Sequence, residues 1–188
     1  MSQIHELETP RLRLRQWTKA DKAPFAKLNA DGRVMEYFPS ALSRSQSDGL
    51  VDRLAGAIAQ RGWGFWAVEV KNKHPFIGMV GISIPRTQLP FSSPSNPCVE
   101  VGWRLDAPYW GYGYATEAAK TAVAFGFETL GLVEIVSFTA LGNVRSQAVM
   151  ERLGMARDLQ TFNYPGLAGS PLEEHCLYRI SRDDTKSG

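Results

Sequence analysis

The chain has 188 residues, 44% hydrophobic and 21% charged, which is enough apolar material for one domain with a full core and little excess of either charge. Its formal net charge is +2, with Lys and Arg scattered in runs of no more than two, a pattern that argues against a nucleic-acid partner. Two distant cysteines without metal-ligand or C-x-x-C spacing predict reduced thiols in a cytoplasmic protein without a metal site, and the chain has neither an N-terminal apolar signal region nor any span near the roughly 20 apolar residues that would cross a membrane.

Taken in chain order, the first element is a strand in which Leu12 and Leu14 alternate with Arg11, Arg13 and Arg15, giving one solvated basic face. Thr18, with Asp21 three residues on, predicts a capped helix over 18–29. A second helix is predicted over 45–60, where Leu50, Leu54, Ala57 and Ile58 share a face. Two strands follow, around 63–68 and 76–81, divided by a turn at Asn72-Lys73-His74-Pro75. Segment 85–97 holds four of the 11 prolines and is too long for a hairpin turn. Residues 98–105 alternate like a half-buried strand, ended by Asp106-Ala107-Pro108. A helix over 115–130, a strand over 134–140, a helix over 143–153 and two late strands near 161–164 and 174–181 complete an α+β chain. It has no internal repeat and no linker, so residues 1–188 read as one domain.

The most informative stretch is Tyr109-Trp110-Gly111-Tyr112-Gly113-Tyr114-Ala115-Thr116. Two glycines interrupt an aromatic run immediately before a helix, and the helix carries Ala115, Ala118, Ala119, Ala122 and Gly126 at helical spacing. Such a small-residue loop presents unpaired backbone N–H groups at the positive end of a helix dipole, an arrangement that holds phosphate without Lys or Arg. A Rossmann fingerprint fits poorly, because the third glycine of G-x-G-x-x-G would fall at Thr116, and so does a P-loop, because no Gly-Lys-Ser/Thr occurs.

With its neighbours, this loop resembles the GNAT N-acetyltransferase superfamily, and within it the RimJ/RimL-like (ribosomal-protein N-acetyltransferase-like) branch. The pyrophosphate signature Q/R-x-x-G-x-G/A is matched by 110–115, with Trp110 where Gln or Arg is usual, and Ala115-Thr116-Glu117-Ala118 is typical of the branch. Segments 9–15, 63–68 and 76–81 resemble the family's first three strands, and Asn143-Val144-Arg145-Ser146 with Leu153-Gly154-Met155 resembles its fourth helix and the turn after it. The resemblance implies a GNAT fold, an α/β three-layer arrangement with a mixed central sheet of about six or seven strands and about four flanking helices. It also implies acetyl transfer from acetyl-CoA, as cosubstrate and without a metal, to a primary amine: a protein N-terminus or a small molecule. The coenzyme-binding residues it implies are Arg104, Leu105, Trp110, Gly111, Tyr112, Gly113, Tyr114, Ala115, Thr116 and Asn143, the last by a side-chain bond to the pantetheine arm.

The chemistry needs a proton acceptor for the amine, a donor for the thioester oxygen, and help for a thiolate leaving group whose pKa resembles that of cysteine, about 8.5. Much of the rate comes from holding the two reactants together. Glu100 is the candidate base or amine-orienting group, although strand parity leaves open whether it faces the cleft or solvent. Ser146 is the candidate acid: the superfamily's tyrosine position, one turn further on, holds Met150, and the branch is implied to use serine. Capping by Asn143 and Ser146 accounts for the same residues equally well. Trp63, Phe65 and Trp66 read as core, and His5, His74 and His175 as ordinary structural or surface residues. Segment 164–171 reads as a mobile turn near the site. A coenzyme-binding module without turnover is the competing function; the chain reads as a monomer or homodimer.

Overall fold

The computed structural model describes residues 3–183. Its strands form one mixed sheet in the order β1-β2-β3-β4-β5-β6-β9-β7, with β8 also paired to β9. The strands are β1 (Leu7–Glu8), β2 (Leu12–Arg15), β3 (Phe65–Val70), β4 (His74–Ser83), β5 (Glu100–Leu105), β6 (Glu134–Ala140), β7 (Ala156–Arg157), β8 (Phe162–Asn163) and β9 (Glu174–Ser181). The helices are α1 (Lys22–Ala30), α2 (Arg44–Arg61), α3 (Tyr114–Glu128) and α4 (Val144–Arg152). The sheet thus exceeds the expected six or seven strands. β1, β7 and β8 are two-residue strands, too short to carry a period of their own.

Local chemistry sets the element ends. A 3₁₀ turn (Lys19–Asp21) precedes α1, and the Asp21 carboxylate accepts from the Thr18 N–H at 2.7 Å. Ser43 and Gln46 form a reciprocal capping box on α2, which ends at Gly62 in the left-handed region. The β3–β4 turn is tighter than expected: Asn72 takes φ 59°, and His74 and Pro75 already belong to β4, at its exposed start. The opening strand corrects a second expectation. Arg13 is exposed, but the Arg15 side chain is only 12% exposed and is held bidentately by Asp21 at 2.8 Å and by Glu69 at 3.2 Å.

Fully buried Leu12, Leu14, Trp66, Ile77, Val80, Ile82 and Ile135 anchor the core, each contributing about 1.5–3 kcal/mol by removal from water. The small residues of α3 allow it to lie close to β4 and β5: Ala118, Ala119 and Ala122 are fully buried, and a Cβ on Gly126 would come within 2.7 Å of Ile135 Cδ1. α1 and α2 pack on one another beside β3 and β4.

One pairing positions the site. All neighbouring strands run antiparallel except β5 and β6, which are parallel and share only the register pair Glu100↔Val136. The Ser137 hydroxyl donates to the Val101 carbonyl at 2.9 Å, and beyond it the two strands are no longer paired. A gap therefore opens toward the C-terminal ends of β5 and β6.

Candidate active site

The gap leads to the start of α3. After β5 a 3₁₀ turn (Ala107–Tyr109) leads into the glycine loop, where Gly111 (φ 82°) and Gly113 (φ 78°) both occupy the left-handed region that disfavours side chains. The first backbone bond of α3 runs from the Glu117 N–H to the Gly113 carbonyl at 3.0 Å, so the N–H groups of residues 111–116 have no carbonyl partner among the described residues. Glu117 would compete for them if its carboxylate swung inward. Instead it accepts from Thr9 Oγ1 at 2.5 Å, the Arg11 N–H at 3.1 Å and Arg11 Nε at 2.6 Å. The Arg11 guanidinium also lies 4.7 Å over the Tyr114 ring, which sets a cation beside the loop.

Trp110, standing at the signature's usual Gln or Arg, donates its indole N–H to the Leu105 carbonyl at 2.9 Å. Arg145 lies over its ring at 4.7 Å and pairs with Glu36 at 2.7 Å. A cation from α4, paired with Glu36, thus stands beside position 110.

On β5, Val101 and Leu105 are buried, while Glu100, Gly102 and Arg104 share the alternate face. That parity resolves the position of Glu100. It lines the cleft, makes no hydrogen bond or ion pair among the described residues, and desolvation raises its pKa to about 7. The carbonyls of Val99 and Val101 point to the β6 side, where they accept from the Val136 N–H and the Ser137 hydroxyl, so by alternation Trp103 turns its N–H and C=O into the gap.

Asn143 caps α4. Its Oδ1 accepts from the Ser146 N–H at 3.3 Å, which fixes the amide orientation because a backbone N–H can only donate. Its Nδ2 donates to Thr139 Oγ1 at 2.8 Å and to Ser146 Oγ at 3.0 Å. Since Ser146 Oγ accepts from Asn143, its own proton is left free. Met150, at the superfamily's tyrosine position, is buried.

One cleft of about 1100 Å³ joins these parts, from the glycine loop past Glu100 and Ser146 to Tyr164, Leu167 and His175. Of the predicted site residues, Tyr112 alone does not line it; its side chain is 61% exposed and stacks on Tyr114 with centroids 5.7 Å apart. Two of the side chains lining it have partners that residue order does not show. The Arg104 side chain, grouped with the coenzyme residues, is turned instead onto α1 and the segment after it, donating to Asn29 Oδ1 at 2.7 Å and lying 4.0 Å from the Phe38 ring centroid. His175 is buried, lines the cleft and packs on Tyr164 with centroids 4.9 Å apart; burial lowers its pKa.

Residues 11–156 match the acetyltransferase (GNAT) domain family, more than half of the chain. The chain belongs to the GNAT acetyltransferase family. Among its GNAT relatives is an FsC-acetyl coenzyme A-N(2)-transacetylase from Aspergillus fumigatus, 32% identical over 130 residues; that match spans 68% of this chain but only 54% of the fungal protein. A crystal structure of an acetyltransferase from Agrobacterium tumefaciens has a TM-score of 0.75 at 27% identity, covering 97% of each chain. RimL, a ribosomal alpha-N-protein acetyltransferase solved in complex with coenzyme A, has a TM-score of 0.74 at 15% identity, covering 96% of this chain and 99% of its own, a likeness of fold alone. The GNAT loop found here suits a diphosphate: its N–H groups are unpaired and a Cβ on Gly111 would meet nothing within 4 Å. Among the described residues, no group of three or more His, Cys, Asp or Glu is placed to hold a metal, and no helix is long and apolar enough to cross a membrane.

Proposed function

We propose that residues 1–188 act as one catalytic domain that moves the acetyl group of acetyl-CoA to a primary amine by direct attack. The observation that carries this reading is the open cleft itself: it connects the unpaired N–H groups of the loop to an unpartnered carboxyl, Glu100, and to a hydroxyl with a free proton, Ser146. A coenzyme-binding module has no need of that continuity. The fungal relative named as an acetyl coenzyme A transacetylase supports the same donor, and the likeness to RimL supports the RimJ/RimL-like branch.

Each group has a definite task. The backbone N–H groups of residues 111–116, flanked by Arg11 and Arg145, hold the diphosphate. The unpaired main chain of Trp103 offers an N–H to the thioester oxygen and so stabilises charge as it develops there. Glu100, ionised in part near neutral pH, accepts the proton that the amine loses as its nitrogen bonds to the acyl carbon. Ser146, oriented by Asn143, gives its proton to the sulfur as the carbon–sulfur bond breaks, so that the free thiol leaves, and takes a proton back from solvent. The acceptor enters from the side lined by Val34, Tyr37, Phe38, Tyr164 and Leu167; whether it is a protein N-terminus or a small amine is decided by assay.

That assay follows free thiol released from acetyl-CoA on addition of N-terminal peptides and small amines. Release with a subset of acceptors is expected. Tight binding of the coenzyme without release by any acceptor would overturn the proposal in favour of a binding module.

A further inference from the structure

The Arg104 guanidinium stands apart from the other buried arginine of the sheet. Arg15 is surrounded by acids, bidentate to Asp21 and bonded to Glu69. Arg104 enters no ion pair. Its Nη1 donates to the neutral Asn29 amide, its Nε is buried without any acceptor, and its flat face covers Phe38. Asn29 is fully buried and is itself held by Ser47 Oγ at 2.9 Å, so the guanidinium rests on a fixed support rather than on mobile side chains. Arg61 has a similar orphan Nε but does not line the cleft. A cation taken out of water without a counter-ion is costly, and the cost is recovered when an anion arrives. Desolvation lowers its pKa only to about 10, so it stays charged at neutral pH.

The surroundings narrow the identity of that anion. The coenzyme phosphates have their own cradle in residues 111–116, with Arg11 and Arg145 beside it. Of the other arginines lining the cleft, Arg33 and Arg145 already hold Asp31 at 2.6 Å and Glu36 at 2.7 Å, and Arg152 is exposed, so its charge is met by water. Arg104 shares a strand face with Glu100, four residues and so about 13 Å away along β5.

Resting on the transferase reading, we propose that the acceptor is an amino carboxylate long enough to span the two residues, its amine toward Glu100 and its carboxylate bound by Arg104. The planar guanidinium suits the fork of a carboxylate, and Phe38 shields the pair from water.

The test uses matched pairs of acceptors, ω-amino acids of increasing length and short dipeptides, each as free carboxylate and as carboxamide. The carboxylate member is expected to have the higher kcat/KM by at least ~30-fold, the value of a desolvated charge pair. In Arg104→Gln that ratio collapses toward one, through KM, while the coenzyme Kd measured by calorimetry holds. Asn29→Asp is the second variant: it keeps the arginine, gives it an internal counter-ion and should reduce the same preference. Equal turnover of both members by the wild type, or a loss confined to coenzyme affinity in Arg104→Gln, overturns the proposal and leaves the transferase reading intact. If no amine is acetylated, calorimetric titration of the same carboxylates into the coenzyme A complex decides. Binding that Arg104→Gln abolishes sustains the anion site while turnover fails, and absence of binding overturns both.

Discussion

Replacing Glu100 by Gln removes a charge and keeps the shape, so it isolates ionisation. The folded chain holds this carboxyl at a pKa of about 7 in place of the ordinary 4.5, through burial. The protonated form is therefore favoured by folding: stability is full below the ordinary carboxylate range and falls as pH rises through about 7. The difference corresponds to an upper limit of ~3 kcal/mol, reduced to about 2 kcal/mol because Glu100 is not fully buried. Glutamine does not ionise. Between about pH 5 and about pH 9, Glu100→Gln should gain about 2 kcal/mol on the wild type, or ~4–8 °C in Tm. Turnover should move the other way: wild-type kcat/KM rises through about pH 7, whereas the variant is flat and ~10²–10⁴-fold lower. Thermal melts and thiol-release rates over the same pH series read both. Parallel melting curves together with unchanged turnover from about pH 6 to about pH 9 would refute Glu100 as the base and its burial as the source of the shift.

Ser146→Ala should lower kcat by ~10²-fold with coenzyme Kd unchanged, since Asn143 keeps its bond to Thr139; equal kcat in single-turnover measurements would remove the hydroxyl from the chemistry. Gly113→Ala places a Cβ at φ 78° and about 3.5 Å from Arg11, and should cost ~1 kcal/mol in urea melts and at least ~10-fold in coenzyme affinity by calorimetry. Gly81→Ala drives a Cβ into the Gly64 carbonyl, a backbone atom that cannot give way, and should lose ~2–3 kcal/mol, read as a Tm fall of about 5–10 °C.

Elements whose signal is local were legible in the sequence. β6 was expected over 134–140 and is found there, a short run rich in β-branched and aromatic residues; α4 starts where Asn143 can cap it, and α2 ends where Gly62 can turn left-handed. What escaped depends on partners distant in sequence. β1 has two residues and is a strand only because Leu7 and Glu8 pair with Leu14 and Arg13; β7 exists because Ala156 and Arg157 meet Arg179 and Tyr178. Arg15 looked solvated because its strand alternates, yet its acids come from Asp21, six residues on, and from Glu69 on a neighbouring strand. No period in the chain announces an ion pair of that kind.

The site divides along the same line. The glycine loop is contiguous and its chemistry belongs to the backbone, so residues 111–116 could be found by spacing. Glu100 could be named but not oriented, since the choice of sheet face belongs to the fold: it follows from Val101 and Leu105 turning into the core. Arg11, Arg104 and Arg145 carry no motif at all. Each is placed by contacts across the fold: Arg145 stands over Trp110, and Arg104 stands in the cleft wall without the carboxylate that Arg33 and Arg145 have found inside the chain. An unmet charge beside an open cleft cannot be read from residue order, because it is a statement about which of the chain's acids failed to arrive. That is why the glycine loop is written in a short stretch of sequence, and the surroundings of Arg104 only in the folded arrangement of α1, β5 and the segment that carries Phe38.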